Sequence, residues 1–250
     1  MTNSDMFSIV KNQLAIDLNC TVDDLDGEKD SFIFVEAKDN PGRRPFLRGE
    51  QFFEMLTMGK AIIVSATPAR LKYVKEQLAG KSRDEAYAMP FIADYTMNYL
   101  PDLERINFIP APKSFTYETI EKTDIPKLHE LTNIANFKNA IQQNQNHPIQ
   151  HNLVMLAKKG DTIVAMASSF VLSPKMWSLG IDVLPEYRSK GLAVYLVNTL
   201  TMGILNRNIV PVYATSACNI ASQKVGYRAG YMPAWMSDNK LRFEGELKNS

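Results

Sequence analysis

Arg188, Ser189, Lys190, Gly191 and Ala193 follow directly on an alternating apolar stretch and lead into a helical one. Two cations, a glycine and a small residue at a strand-to-helix junction are the chemistry of an anion site. The first turn of a helix carries unpaired N–H groups and a partial positive charge. Gly191 and Ala193 keep that turn free of bulk, so a phosphate can approach the backbone. Arg188 and Lys190 place full charges beside it. The same residues also suit a plain tight turn with solvent-facing cations, and taken alone they leave both readings open. The pattern "LPEYRSKGLA" is neither a P-loop nor a dinucleotide fingerprint, because the G-K-S/T and G-x-G-x-x-G spacings are absent.

The elements that must position this junction follow from periodicity. In "MWSLGIDVL", Trp177, Leu179, Ile181 and Val183 fall on one face, and Ser178, Gly180 and Asp182 on the other. Pro185 ends that strand, since it cannot donate to a ladder. Leu192, Leu196, Leu200 and Ile204, with Val197 beside them, predict a helix over 189–207. Upstream, "LVMLAKKGDTIVAMASSFVL" predicts a hairpin turning at "KKGD". Downstream come a strand at "VPVYAT", a helix capped by Asn219 and stopped by Gly230, and a last strand at "LRFEGEL". From residue 114 the order is β-α-β-β-β-α-β-α-β. Strands joined through a helix lie parallel, so the sheet is mixed and the class is α/β (α+β) with flanking helices.

Before residue 114 the chain predicts an amphipathic helix (Met6, Ile9, Val10, Leu14, Leu18), then strands at 31–37 and 60–67. A short helix is expected at "QFFEMLTMG" and another after Pro68. "IPAPKS" (109–114) is the candidate boundary, because two prolines in four residues favour an extended linker. The expected division is a smaller N-terminal α/β module over 1–112 and a second domain over 113–250.

Bulk properties narrow the function classes. The chain has 250 residues, 45% hydrophobic and 22% charged, which is ordinary for a soluble globular protein. A formal net charge of +1 gives no reason to expect nucleic acid. Cys20 and Cys218 make neither a disulfide framework nor a zinc pattern, and His129, His147 and His151 lack ligand spacing, so no metal is expected. No apolar run approaches the roughly 20 residues that span a bilayer, and the start lacks a secretory pattern. The expectation is a cytoplasmic protein without a membrane partner, monomer or homodimer.

The string "DVLPEYRSKGLA", with its strand, its helix and then "YATSACNIASQKVGYRAGYMPAW", resembles the GCN5-related N-acetyltransferases, the GNAT family. It is most similar to a bacterial subgroup with an extra N-terminal region. Arg188, Gly191 and Ala193 match the fixed positions of the family's Q/R-x-x-G-x-G/A signature. The resemblance covers about residues 114–250 and implies the GNAT fold. It further implies acetyl-CoA (coenzyme A) as cofactor and direct acetyl transfer to a primary amine of a small molecule or a protein. It places the pyrophosphate on 188–193, including Ser189, Lys190 and Leu192. The pantetheine arm falls along Ile181, Asp182 and Val183, with Asn219 and Ser222 on the cofactor side. Backbone N–H groups near Ile181–Val183 would face the oxyanion. A non-catalytic acyl-CoA-binding sensor or scaffold is the alternative.

That alternative arises because the family's common acid and base do not transfer. The tyrosine position falls on Gly226 and the glutamate position near Ala214. Three replacements suggest themselves: Asp182 as base or amine ligand, Ser216 (with Thr215) as holder of water or substrate, and Tyr227 as thiolate acid. Each also has a structural reading, and bulk water is a further proton partner. Trp177, Tyr213 and Trp235 read as core or cleft wall. Gly42, Arg43 and Arg44 form either a solvated turn or a second anion contact.

Overall fold

The alternating stretch ending at Pro185 folds as the strand its periodicity predicts, spanning Met176–Val183. The computed structural model describes residues 1–44, 52–92, 95–124, 131, 136–141 and 151–238. Its helices and strands run α1 (Asn3–Leu18), α2 (Val22–Leu25), β1 (Phe32–Glu36), β2 (Phe53–Thr57), β3 (Ile62–Ala66), α3 (Pro68–Leu78), α4 (Arg83–Tyr87) and β4 (Thr96–Pro101). Then follow β5 (Thr116–Glu121), α5 (Lys138–Ile141), β6 (His151–Lys159), β7 (Thr162–Ser173), β8 (Met176–Val183), α6 (Leu192–Leu205), β9 (Val210–Ser216), α7 (Ile220–Arg228) and β10 (Tyr231–Asp238). This is a mixed α/β sheet fold with flanking helices.

The chain forms two compact units that interleave in sequence. The first holds Met1–Met6, Tyr99–Ala214 and Asn219–Met232. Its strands run in the order β4-β9-β8-β7-β6-β5. β5, β6, β7 and β8 pair antiparallel in succession, and β8 pairs parallel with β9, as the crossover through α6 requires. The expected hairpin at "KKGD" is the β6–β7 turn, with Gly160 at φ 59. α6 buries Leu192, Leu196, Val197, Leu200 and Ile204, the face its spacing predicts. A second cluster joins Ile120, Phe137, Ala140, Val154, Leu156 and Met166.

The second unit holds Phe7–Asn98, Thr215–Cys218 and Pro233–Ser250. β1 pairs parallel with β3, β3 antiparallel with β2, and β2 antiparallel with β10. Its core packs Phe53, Met55, Ile62, Val64, Val74, Leu78 and Phe91.

Two sequence expectations need correction here. "QFFEMLTMG" is not a helix: Phe53–Thr57 is the strand β2, buried and paired with β3, and its turn is closed by Thr57 Oγ1 donating to the Gly59 and Ala61 carbonyls. A short apolar run has no decisive period, and pairing decides it. The helix expected from residue 189 begins at Leu192, with Gly191 as its N-cap. The last strand expected at 241–247 lies outside the described residues; the described chain ends in β10.

Candidate functional site

β8 ends differently on its two sides. Toward β7 it is paired through Val183. Toward β9 the register stops at Leu179 against Tyr213. Among the described residues, Gly180 to Val183 therefore have no ladder partner on that side, and Ile181, Asp182 and Val183 are partly exposed. Such an open strand edge is a template for an extended ligand arm.

Pro185–Tyr187 then makes a short 3-10 turn, closed by Tyr187 N donating to Leu184 O (2.9 Å) and Arg188 N to Pro185 O (3.2 Å). Ser189 sits at φ 61 and Gly191 at φ 81. Left-handed geometry costs a non-glycine residue roughly 1–2 kcal/mol, so the Ser189 conformation is held by its surroundings. Left-handed residues in such a turn direct successive N–H groups to one side, making a concave anion nest. The first helical bond is Tyr195 N to Gly191 O at 3.0 Å. Among the described residues nothing accepts from the N–H of Ser189, Lys190, Gly191, Leu192 or Ala193. Arg188 is exposed, its Nε donating to Val183 O at 3.2 Å. Free donors, a helix start and two cations converge on one loop.

Asn219 caps α7, its side chain accepting from Ser222 N at 3.1 Å. Ser222 Oγ shares a 2.7 Å hydrogen bond with the buried hydroxyl of Tyr213. Burial pushes the Tyr213 phenol above its ordinary value, so the group stays neutral. Tyr213 also explains Gly226. A Cβ at Gly226 would lie 3.0 Å from the Tyr213 ring, so the space beside that helix position is filled from β9. No periodicity signals that contact.

The three catalytic candidates occupy different settings. Asp182 is fully engaged: Oδ2 accepts from Asn139 N (2.7 Å) and Ala140 N (2.9 Å), and Oδ1 from Asn139 Nδ2 (2.6 Å). It caps α5, which sits so close that a Cβ on Gly180 would collide with the Asn139 carbonyl. The small-polar face of β8 is thus a seat for α5. Tyr227 is 61% exposed, with the Arg105 guanidinium donating to its hydroxyl at 3.2 Å. Ser216 belongs to the second unit, where its Oγ lies 3.2 Å from Cys218 Sγ.

The "GRR" segment is neither a solvated turn nor an open anion contact. Arg43 and Arg44 are buried, and Arg44 binds the buried Asp17 through Nε (2.5 Å) and its backbone N (2.9 Å). Trp177 is partly exposed, while Tyr213 and Trp235 are buried.

Sequence reasoning missed what borders the loop in the first unit. Pro112 Cγ lies 3.6 Å from where a Gly191 Cβ would sit, so "IPAPKS" runs alongside the loop. Asn198 of α6 holds that segment, donating to Asn107 O and accepting from Ile109 N. The rings of Phe115 and Tyr187 meet edge-on at 6.1 Å. Lys159 lies over Phe115 at 5.8 Å and Lys190 over Tyr187 at 5.0 Å. Antiparallel arithmetic places the "KKGD" turn at the C-terminal end of β8, which is the available signal for Lys159.

The family model described as GNAT acetyltransferase matches residues 19–234. No curated protein sequence matches the chain. Solved structures similar to it include a GCN5-related N-acetyltransferase-like protein from Streptococcus suis, at 15% identity and a TM-score of 0.44, covering 74% of this chain and 72% of that one. An acetyltransferase from the GNAT family from Colwellia psychrerythraea is 11% identical with a TM-score of 0.47, covering 72% and 76%. A GCN5-related N-acetyltransferase from Sphaerobacter thermophilus is 13% identical with a TM-score of 0.45, covering 77% and 61%.

Proposed function

Because the chain belongs to the GNAT acetyltransferase family, we propose that it is an N-acetyltransferase that uses acetyl-CoA and acts on a primary amine. The observation that supports this reading is the loop 188–193, whose five successive N–H groups lack an acceptor among the described residues. A pyrophosphate fits that set: it needs converging donors at a helix start, and Arg188 adds a charge-assisted partner. The unpaired edge of Gly180–Val183 suits the amide groups of a pantetheine arm. Asn219 and Ser222 border the cofactor side from the start of α7. Acetyl-CoA supplies the acyl group as a thioester.

For the proton of the acceptor amine, the favoured partner is bulk water. Asp182 is consumed in capping α5, Tyr227 is paired with Arg105, and Ser216 lies beside Cys218. Asp182 then acts as a positioning residue for the α5 segment. Tyr213 positions Ser222 in the same sense.

Cofactor binding is tested by thermal unfolding. Acetyl-CoA at 100 times its Kd stabilises the folded state by about 2.7 kcal/mol, which raises Tm by roughly 5–10 °C. Arg188→Glu is expected to abolish that shift while leaving the Tm of the free protein within a degree of wild type. A wild-type chain with no shift at millimolar acetyl-CoA would refute the reading.

A further inference from the structure

We propose that the ladder Lys159–Phe115–Tyr187–Lys190 is the subsite for the ribose 3′-phosphate of coenzyme A. The proposal rests on the acetyl-CoA reading above. Coenzyme A carries a pyrophosphate and a separate phosphate on its ribose. The loop supplies five N–H groups without an acceptor among the described residues, and Arg188, for the first. The second needs charge of its own beyond the cradle. "GRR" does not provide it, since Arg44 is buried against Asp17.

The ladder has the right chemistry. Lys190 belongs to the cradle loop, and Lys159 sits on the β6–β7 turn beside the C-terminal end of β8. Each ammonium lies over an aromatic ring, at 5.0 Å from the Tyr187 centroid and 5.8 Å from that of Phe115. The two rings support one another at 6.1 Å. Lys159 Nζ also donates to Ser114 O at 3.1 Å. A ring or a carbonyl positions a cation without cancelling its charge. Other cations of this unit are treated differently: Lys158 is paired with Glu118 and Arg207 with Glu121, both at 2.6 Å. No carboxylate among the described residues is in ion-pair reach of Lys159, Lys190 or Arg188. Held, exposed and unneutralised ammonium groups recognise a dianionic phosphate.

The test compares coenzyme A with 3′-dephospho-coenzyme A by titration calorimetry on wild type, Lys159→Met and Lys190→Met. Wild type is expected to bind coenzyme A more tightly by about two- to fivefold, the range for exposed charge pairs. Lys159→Met, which lies outside the pyrophosphate cradle, is expected to shrink that ratio toward one with little effect on the dephospho form. Lys190→Met is expected to shrink it too. Equal wild-type affinity for both ligands, or an unchanged ratio in Lys159→Met, would overturn the subsite and leave the acetyl-CoA reading standing. Failure of wild type to bind either ligand would sink both.

Discussion

Asp182 shows how contacts decide a role that residue type leaves open. A carboxylate at the end of an open-edged strand reads as a base, yet here it accepts three hydrogen bonds from Asn139 and Ala140. Those bonds occupy both carboxylate oxygens and commit the side chain to holding α5. If bulk water takes the proton, the pH profile of kcat/KM follows the acceptor amine alone. Asp182→Ala is then expected to lower stability by about 1–3 kcal/mol, the cost of leaving the α5 N–H groups unpaired. Its kcat/KM is expected to fall while the apparent pKa of the profile stays fixed. A displaced or flattened profile in the variant would instead make Asp182 the base. Asn198 is a comparable case: its buried side chain joins Asn107, Ile109 and Ala229 through their backbones, a role no spacing announces.

At the scale of elements, α7 meets β9 at Tyr213, whose ring Gly226 approaches and whose hydroxyl bonds Ser222. Placing a tyrosine at the Gly226 position is expected to harm the protein. Gly226→Tyr overpacks the contact and is expected to cost about 3 kcal/mol or more, read from chemical denaturation. With Tyr213→Ala the double variant is expected to lose less than the sum of the singles, the signature of a shared volume. Strict additivity would remove the packing explanation. The same elements show what was legible in the sequence. Long periodic segments, α6 and the β6–β7 hairpin, are readable because each carries its own period. The cradle is readable because its residues are contiguous. β2 is too short to declare a period, and the start of α6 moved three residues because two left-handed residues intervene. The Tyr213–Gly226 contact and the Lys159–Lys190 ladder join residues far apart in sequence, so only pairing and packing bring them together.

On the scale of the whole molecule, a net charge of +1 implies little, but the placement of a few charges implies a pH dependence. Glu54 on β2 is 5% exposed, and its Oε2 has no hydrogen-bond partner among the described residues. Burial pushes its carboxyl up to about 7 from an ordinary 4.5, with Arg44 and Arg43 pulling down and Asp17 and Asp238 pushing up. The folded chain therefore holds a proton on Glu54 that the unfolded chain releases near pH 4.5. Between pH 4.5 and 7 the folded state binds more protons, so stability falls as pH rises through that window and levels off above it. A displacement of this size corresponds to about 3 kcal/mol across the window. Glutamine keeps the shape of the neutral acid and cannot ionise. Glu54→Gln is thus expected to resemble wild type near pH 4.5 and to exceed it at pH 8 by a few kcal/mol, measured by urea denaturation at both values. A difference between the two proteins that stays constant from pH 4.5 to 8 would show that Glu54 is ionised in the folded chain throughout, its charge carried by Arg43 and Arg44.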